Sequence, residues 1–149
     1  MSVPGFSKFE RFFRAAAELT VDKNDIKRCE DFVNSKVYDM LLMAQGTAKA
    51  NGRDVIEPRD LPVTKGLQEA IHGFVKLDQE TGLLPVLDYL TARPPIDLTL
   101  SEGTQSYLPV VAGGITFALA HLFRVLDPER RHPLTPEWEQ AFKIFELLL

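Results

Sequence analysis

Cysteine is almost absent from this chain. Cys29 stands alone among 149 residues, which excludes an internal disulfide framework and fits a reducing cytoplasm. Histidine is scarce as well: His72, His121 and His132 are scattered with no metal-ligand spacing, so neither metal nor cofactor is expected. No apolar run reads as long enough to span a bilayer. The opening from Met1 to Gly5 lacks the basic start and apolar core of a signal peptide. The expected location is the cytoplasm, with no membrane partner. An excess of positive charge is missing too. The net charge is −4, with 12 Lys and Arg against 11 Asp and Glu in residues 1–76, and 5 against 10 in residues 77–149. Phosphate binding rests on basic groups, so this balance argues against tight, sequence-independent DNA wrapping and leaves room only for a local basic site.

What is present is helical periodicity. The chain is 45% apolar and 26% charged, as an ordinary soluble globular protein is. Phe9, Phe12, Phe13 and Ala16 mark a short first helix ending near Leu19 and Thr20. Asp22 to Asp25 supply capping side chains for a long second helix. Its stripe runs Ile26, Cys29, Val33, Val37, Met40, Leu41, Ala44 and Ala48, and Asn51-Gly52 is its stop. A third helix is expected from Pro58, carrying Leu61, Leu67, Ala70, Ile71 and Phe74, with a first turn disturbed by Pro62.

The segment from Gly52 to Asp60 has a fainter copy 78 residues later, from Arg131 to Trp138. Each places an arginine, a short extended link with one aliphatic (Ile56, Leu134), and a proline suited to a helix's first turn (Pro58, Pro136). The same offset maps Phe9 to Leu87, Phe12 to Leu90, Val33 to Val111, Val37 to Ile115, Leu41 to Leu119, Leu67 to Phe145 and Ala70 to Leu148. Identity is mostly lost while apolar character persists, which reads as a structural repeat. The boundary is expected between Asp78 and Gly82. The chain thus divides into a first repeat, 1–77, and a second, 83–149, sharing one compact domain. The second long helix is apolar nearly all round, from Leu108 to Leu126. Either the first repeat wraps it or part of it is an oligomer interface.

The short–long–short pattern with Gly52-Arg53, Ile56 and Asp60 resembles the histone fold, and the first repeat is similar to archaeal histones. The whole chain resembles a small prokaryotic family of tandem histone-fold proteins of unknown function, in which two units form a pseudodimer. That resemblance implies an all-α fold and a clamp between Arg53 and Asp60. Two departures stand out. Asp54 and Val55 occupy the loop positions where histones carry a phosphate-holding lysine and threonine. Trp138 stands where the second clamp's acid belongs, so that clamp is expected to be missing or rearranged.

In a histone pair the first loop of one unit lies beside the second loop of the other. The resemblance therefore implies a basic end, with Lys23 and Lys27 beside Arg130, Arg131 and His132. The other end, with Asp97 and Glu102 beside Arg53 and Asp54, would be more acidic. Lys8, Arg11 and Arg14 line the first helix's exposed side, where Arg93 could join them along a DNA backbone. Each cluster has an ordinary reading as a solvated helix face or loop.

Catalytic signals are weak. Cys29 falls on an apolar stripe and reads as a small core residue. His121, on the apolar helix, is expected to be a core or interface histidine. Gly113-Gly114 reads as a close helix crossing, since no strand-to-helix phosphate loop surrounds it. The expected function is non-enzymatic protein association, with a protein partner or a second copy and no small-molecule substrate. The alternative is a nucleoid-associated DNA-binding protein using the basic end.

Overall fold

In a computed structural model, which describes residues 5–90 and 96–148, helices dominate. They are α1 (Phe6–Ala17), α2 (Lys23–Ala50), α3 (Lys65–Thr81), α4 (Leu84–Leu90), α5 (Glu102–Leu126) and α6 (Thr135–Leu148). Two short strands, β1 (Val55–Ile56) and β2 (Thr99–Leu100), and a 3-10 turn at Pro58–Asp60 complete the described elements. The fold is all-α, as expected. Arg93 and the side chain of Leu90 lie outside the described residues.

Local chemistry sets the helix ends. Asp22 Oδ1 accepts from the Asp25 amide at 2.9 Å, and Asp25 Oδ2 accepts from the Asp22 amide at 2.9 Å. This reciprocal capping box starts α2 where its side chains predict. Asn51 caps the far end, and Gly52 turns the chain away at φ 72°, a conformation that glycine adopts without steric cost.

The third helix does not begin at Pro58. That proline opens only the 3-10 turn. Leu61 is extended, and α3 starts at Lys65, where the Thr64 hydroxyl accepts from the Leu67 amide at 3.1 Å. Pro62, which has no N–H and biases the residue before it towards extended backbone, explains the delay. Between Asp78 and Gly82 the third helix ends, with Gly82 as its left-handed cap. Helix α3 continues to Thr81, and the Asp78 carboxylate accepts from the Leu83 and Leu84 amides at 2.6 and 2.9 Å.

Helix α5 forms the centre, with α1, α2, α3, α4 and α6 against it. By length and composition it could cross a membrane, contrary to the sequence expectation, but 61% of its most apolar stretch is buried inside the molecule. It is a core helix, wrapped largely by the first half of the chain. Its closest crossing is with α3. A Cβ added at Gly113 would lie 2.4 Å from the Phe74 ring, and one at Gly114 2.5 Å from Ile71 Cγ1 and 3.2 Å from the Ile71 backbone. The paired glycines are a close crossing, as read from the sequence.

Loops of the two halves meet at both ends. At one end β1 and β2 pair in parallel, Val55 with Thr99 and Ile56 with Leu100. The Ser101 amide and the Thr104 hydroxyl both donate to the Ile56 carbonyl, at 3.0 and 2.7 Å. At the other end the Thr20 amide donates to the Arg131 carbonyl at 2.7 Å. Side chains reinforce that second seam.

Candidate functional site

Asp25 lies at the centre of the second seam. As the N3 residue of α2 it points into the molecule, and its side chain is 3% exposed. Its Oδ1 accepts from Trp138 Nε1 at 2.9 Å, and its Oδ2 lies 3.0 Å from His132 Nε2. Arg28 approaches Oδ1 to 3.7 Å. Asp22 sits at the rim, its Oδ2 3.7 Å from the same imidazole. The Asp25 backbone amide and side chain hold the Asp22 carboxyl below the usual range against opposing desolvation, and His132 lowers it further. Trp138 is fully buried against Phe13, Phe123 and Phe142. The second clamp is thus rearranged: Trp138, standing where the aspartate belongs, donates to Asp25, and Arg131 pairs with Glu18 at 3.2 Å. The sequence did carry a hint: a core indole N–H requires an acceptor.

Arg53 and Asp60 form the expected pair, across the expected seven positions. Nη1 donates to Oδ2 at 2.8 Å and Nη2 to Oδ1 at 2.6 Å, a two-pronged bond that also meets Glu57 at 3.2 Å. The Glu57 amide donates to Asp60 at 2.8 Å. Hydrogen bonding from Arg53 leads in lowering the Asp60 carboxyl to about 2, although burial opposes it. The acid lies in the 3-10 turn and not in α3.

Acids meet most of the cations expected at the basic end. Arg130 lies 3.4 Å from Asp127 and 3.3 Å from Glu137, and Arg131 3.2 Å from Glu18. Lys27 pairs with Asp31 at 3.8 Å, while His132 faces Asp22 and Asp25. At the opposite end Asp97 pairs with Lys49 at 3.6 Å and not with Arg53. Arg11, Arg14 and Lys23 are exposed, and Lys8 is half-buried. The ammonium of Lys8 lies close to Gly82.

An apolar groove of about 340 Å³ opens between the start of α3, the second half of α5 and the end of α6. Leu67, Ala118, Leu122, Val125, Phe145 and Leu148 supply most of its wall, with Thr64 and His121 as its polar edge. Val125 and Leu148 are 77% and 73% exposed, and neighbouring Leu147 is 84% exposed. His121 is exposed and lies against Phe117, with ring centres 4.3 Å apart. It is therefore not a core histidine, because α5 turns this side outward. A second groove, of about 220 Å³, contains Met40, Met43 and Leu67. The 78-residue offset carries these onto Ala118, His121 and Phe145 of the first groove.

Desolvation pushes the fully buried Cys29 thiol up to about 12, so it is a thiol and not a nucleophilic thiolate at neutral pH. Beside it, with Glu30 and Thr116, lies a void of only about 10 Å³.

Residues 9–146 match a family described as a domain of unknown function, DUF1931. The chain belongs to that family. An uncharacterized protein of Aquifex aeolicus strain VF5 is 28% identical over 127 residues, covering 85% of this chain and 74% of that protein. Another from the same organism is 25% identical over 135 residues, covering 82% and 78%. A crystal structure of a Thermus thermophilus protein is similar, with a TM-score of 0.85 at 48% identity over 95% of this chain and 96% of that one. A crystal structure of an Aquifex aeolicus protein gives 0.86 at 27% identity, over 100% and 99%. The helix arrangement is thus shared across nearly the whole chain.

Proposed function

We propose that the molecule is two histone-fold units in tandem, paired within one chain, and that it serves non-enzymatic protein association. Three points support the pairing. The helix order short, long, short occurs twice, opposite loops abut at both ends, and the two apolar grooves occupy equivalent positions.

The association reading rests on the groove beside α6. It exposes Val125 and Leu148 around an apolar floor. The corresponding first-half positions, Thr47 and Ala70, offer less apolar surface. Exposed apolar surface of this kind marks interaction sites in soluble proteins. Sedimentation of the wild type and of Val125→Asp tests the reading. The wild type should form a complex with itself or a protein partner, and the substitution should weaken it at least tenfold while helix content stays constant. Undiminished association by the variant would remove the groove from the account.

A second reading is nucleoid-associated DNA binding. It is favoured by Arg11, Arg14 and Lys23, which are exposed and have no ion pair among the described residues. It is disfavoured by the acids that occupy the Arg130–Arg131 end.

A further inference from the structure

Asp22, Asp25 and His132 bring two carboxylate oxygens and one imidazole nitrogen within 4.8 Å of one another. His132 Nε2 is 3.0 Å from Asp25 Oδ2 and 3.7 Å from Asp22 Oδ2. Nitrogen-to-oxygen separations of 3.0 and 3.7 Å suit a shared cation bound at about 2.1 Å by nitrogen and oxygen. Helix capping accounts for only part of this arrangement. It uses Asp22 Oδ1 and Asp25 Oδ2 but leaves Asp22 Oδ2 directed at the imidazole, and it has no need of a histidine from 107 positions away.

The local charge also calls for a cation. Asp25 is buried, and among the described residues its ion-pair partner besides the imidazole of His132 is Arg28 at 3.7 Å, a side chain 38% exposed. A buried carboxylate with incomplete charge compensation gains from a positive partner. Its remaining oxygen is fixed by Trp138 Nε1, an arrangement of the kind that orients a metal-binding carboxylate.

We propose that Asp22 Oδ2, Asp25 Oδ2 and His132 Nε2 bind one divalent first-row metal ion, zinc being the best fit. An imidazole beside two carboxylates favours zinc over calcium or magnesium, which prefer oxygen throughout. Water completes the coordination from the exposed side. Binding requires the Nε2 lone pair, so the ring keeps its proton on Nδ1, or an imidazolium releases one proton to solvent. No electron is transferred. The metal joins the start of α2 to the loop before α6 and so fastens the two halves together. The offset carries these residues onto Leu100, Gly103 and Asp54, which cannot repeat the set, so one ion binds per chain.

Calorimetric titration of the intact chain with zinc chloride, together with thermal melting, tests this. The expected result is one zinc per chain and a higher melting midpoint. His132→Ala and Asp22→Ser should each weaken binding at least tenfold and abolish the midpoint shift. Serine retains a capping oxygen, so Asp22→Ser separates ligation from helix capping, and metal-free melting checks that it folds. Absence of saturable binding near one ion per chain would overturn the site, as would wild-type binding by both variants.

Discussion

The indole Nε1 of Trp138 donates to Asp25 Oδ1 at 2.9 Å, across 113 residues of sequence, so the first turn of α2 and the first turn of α6 share one buried bond. The carboxylate that completes the second helix's cap also satisfies the largest aromatic side chain of the core. Cap, core and the seam between halves therefore depend on one residue.

Replacing that residue should be costly. Asp25→Ala removes the reciprocal cap and leaves Trp138 Nε1 without its acceptor. The expected loss is roughly 2–4 kcal/mol, combining a lost cap with an unpaired buried donor. Urea unfolding followed by Trp138 fluorescence reads it directly. A loss below about 0.5 kcal/mol, the range of ordinary surface changes, would show that the seam does not depend on Asp25.

The Arg53–Asp60 pair predicts a dependence on acid. The Asp60 carboxyl is lowered from 3.8 to about 2 in the folded chain. A lowered folded value means stability that is fully present above the unfolded value and lost as pH falls through the folded one. The advantage of wild type over Asp60→Asn should therefore hold above pH 4 and shrink between pH 4 and pH 2. Melting both proteins across that range checks the sign. An advantage that grows on acidification would contradict the pairing. Arg53→Ala should likewise lower stability more than it changes any DNA retention.

The glycines of α5 and α2 give opposite predictions. At Gly114 an added methyl meets Ile71, backbone included, whereas at Gly46 nothing lies within 4 Å. Gly114→Ala should destabilise by about 1–3 kcal/mol as overpacking does. Gly46→Ala should stabilise by about 0.5–1 kcal/mol through helix propensity. Equal effects in paired denaturant melts would contradict the close crossing of α3 and α5.

Features written in local spacing were legible in the sequence. The α2 cap at Asp22, its stop at Gly52, the seven-residue Arg53–Asp60 spacing and the crossing at Gly113-Gly114 each depend on a few neighbouring residues. The start of α3 was misplaced because Pro58 suits either a helix or a 3-10 turn, and Pro62 settled it. Asp25 looked like a cap alone, since its other partners are His132 and Trp138, more than 100 residues on. His121 looked buried because periodicity reveals that α5 is apolar around its circumference but not which side its neighbours leave open. The basic end was legible as cations, while the acids that meet them come from other elements.

We propose that this chain associates through its apolar groove and not through phosphate contacts. Size-exclusion chromatography with light scattering, run with and without duplex DNA at low and high salt, tests it most directly. With a second copy as the partner, the expected species is heavier than the 16.8 kDa single chain, unchanged by salt and carrying no DNA. A single-chain species that retains DNA at low salt and releases it steeply as salt rises would contradict it.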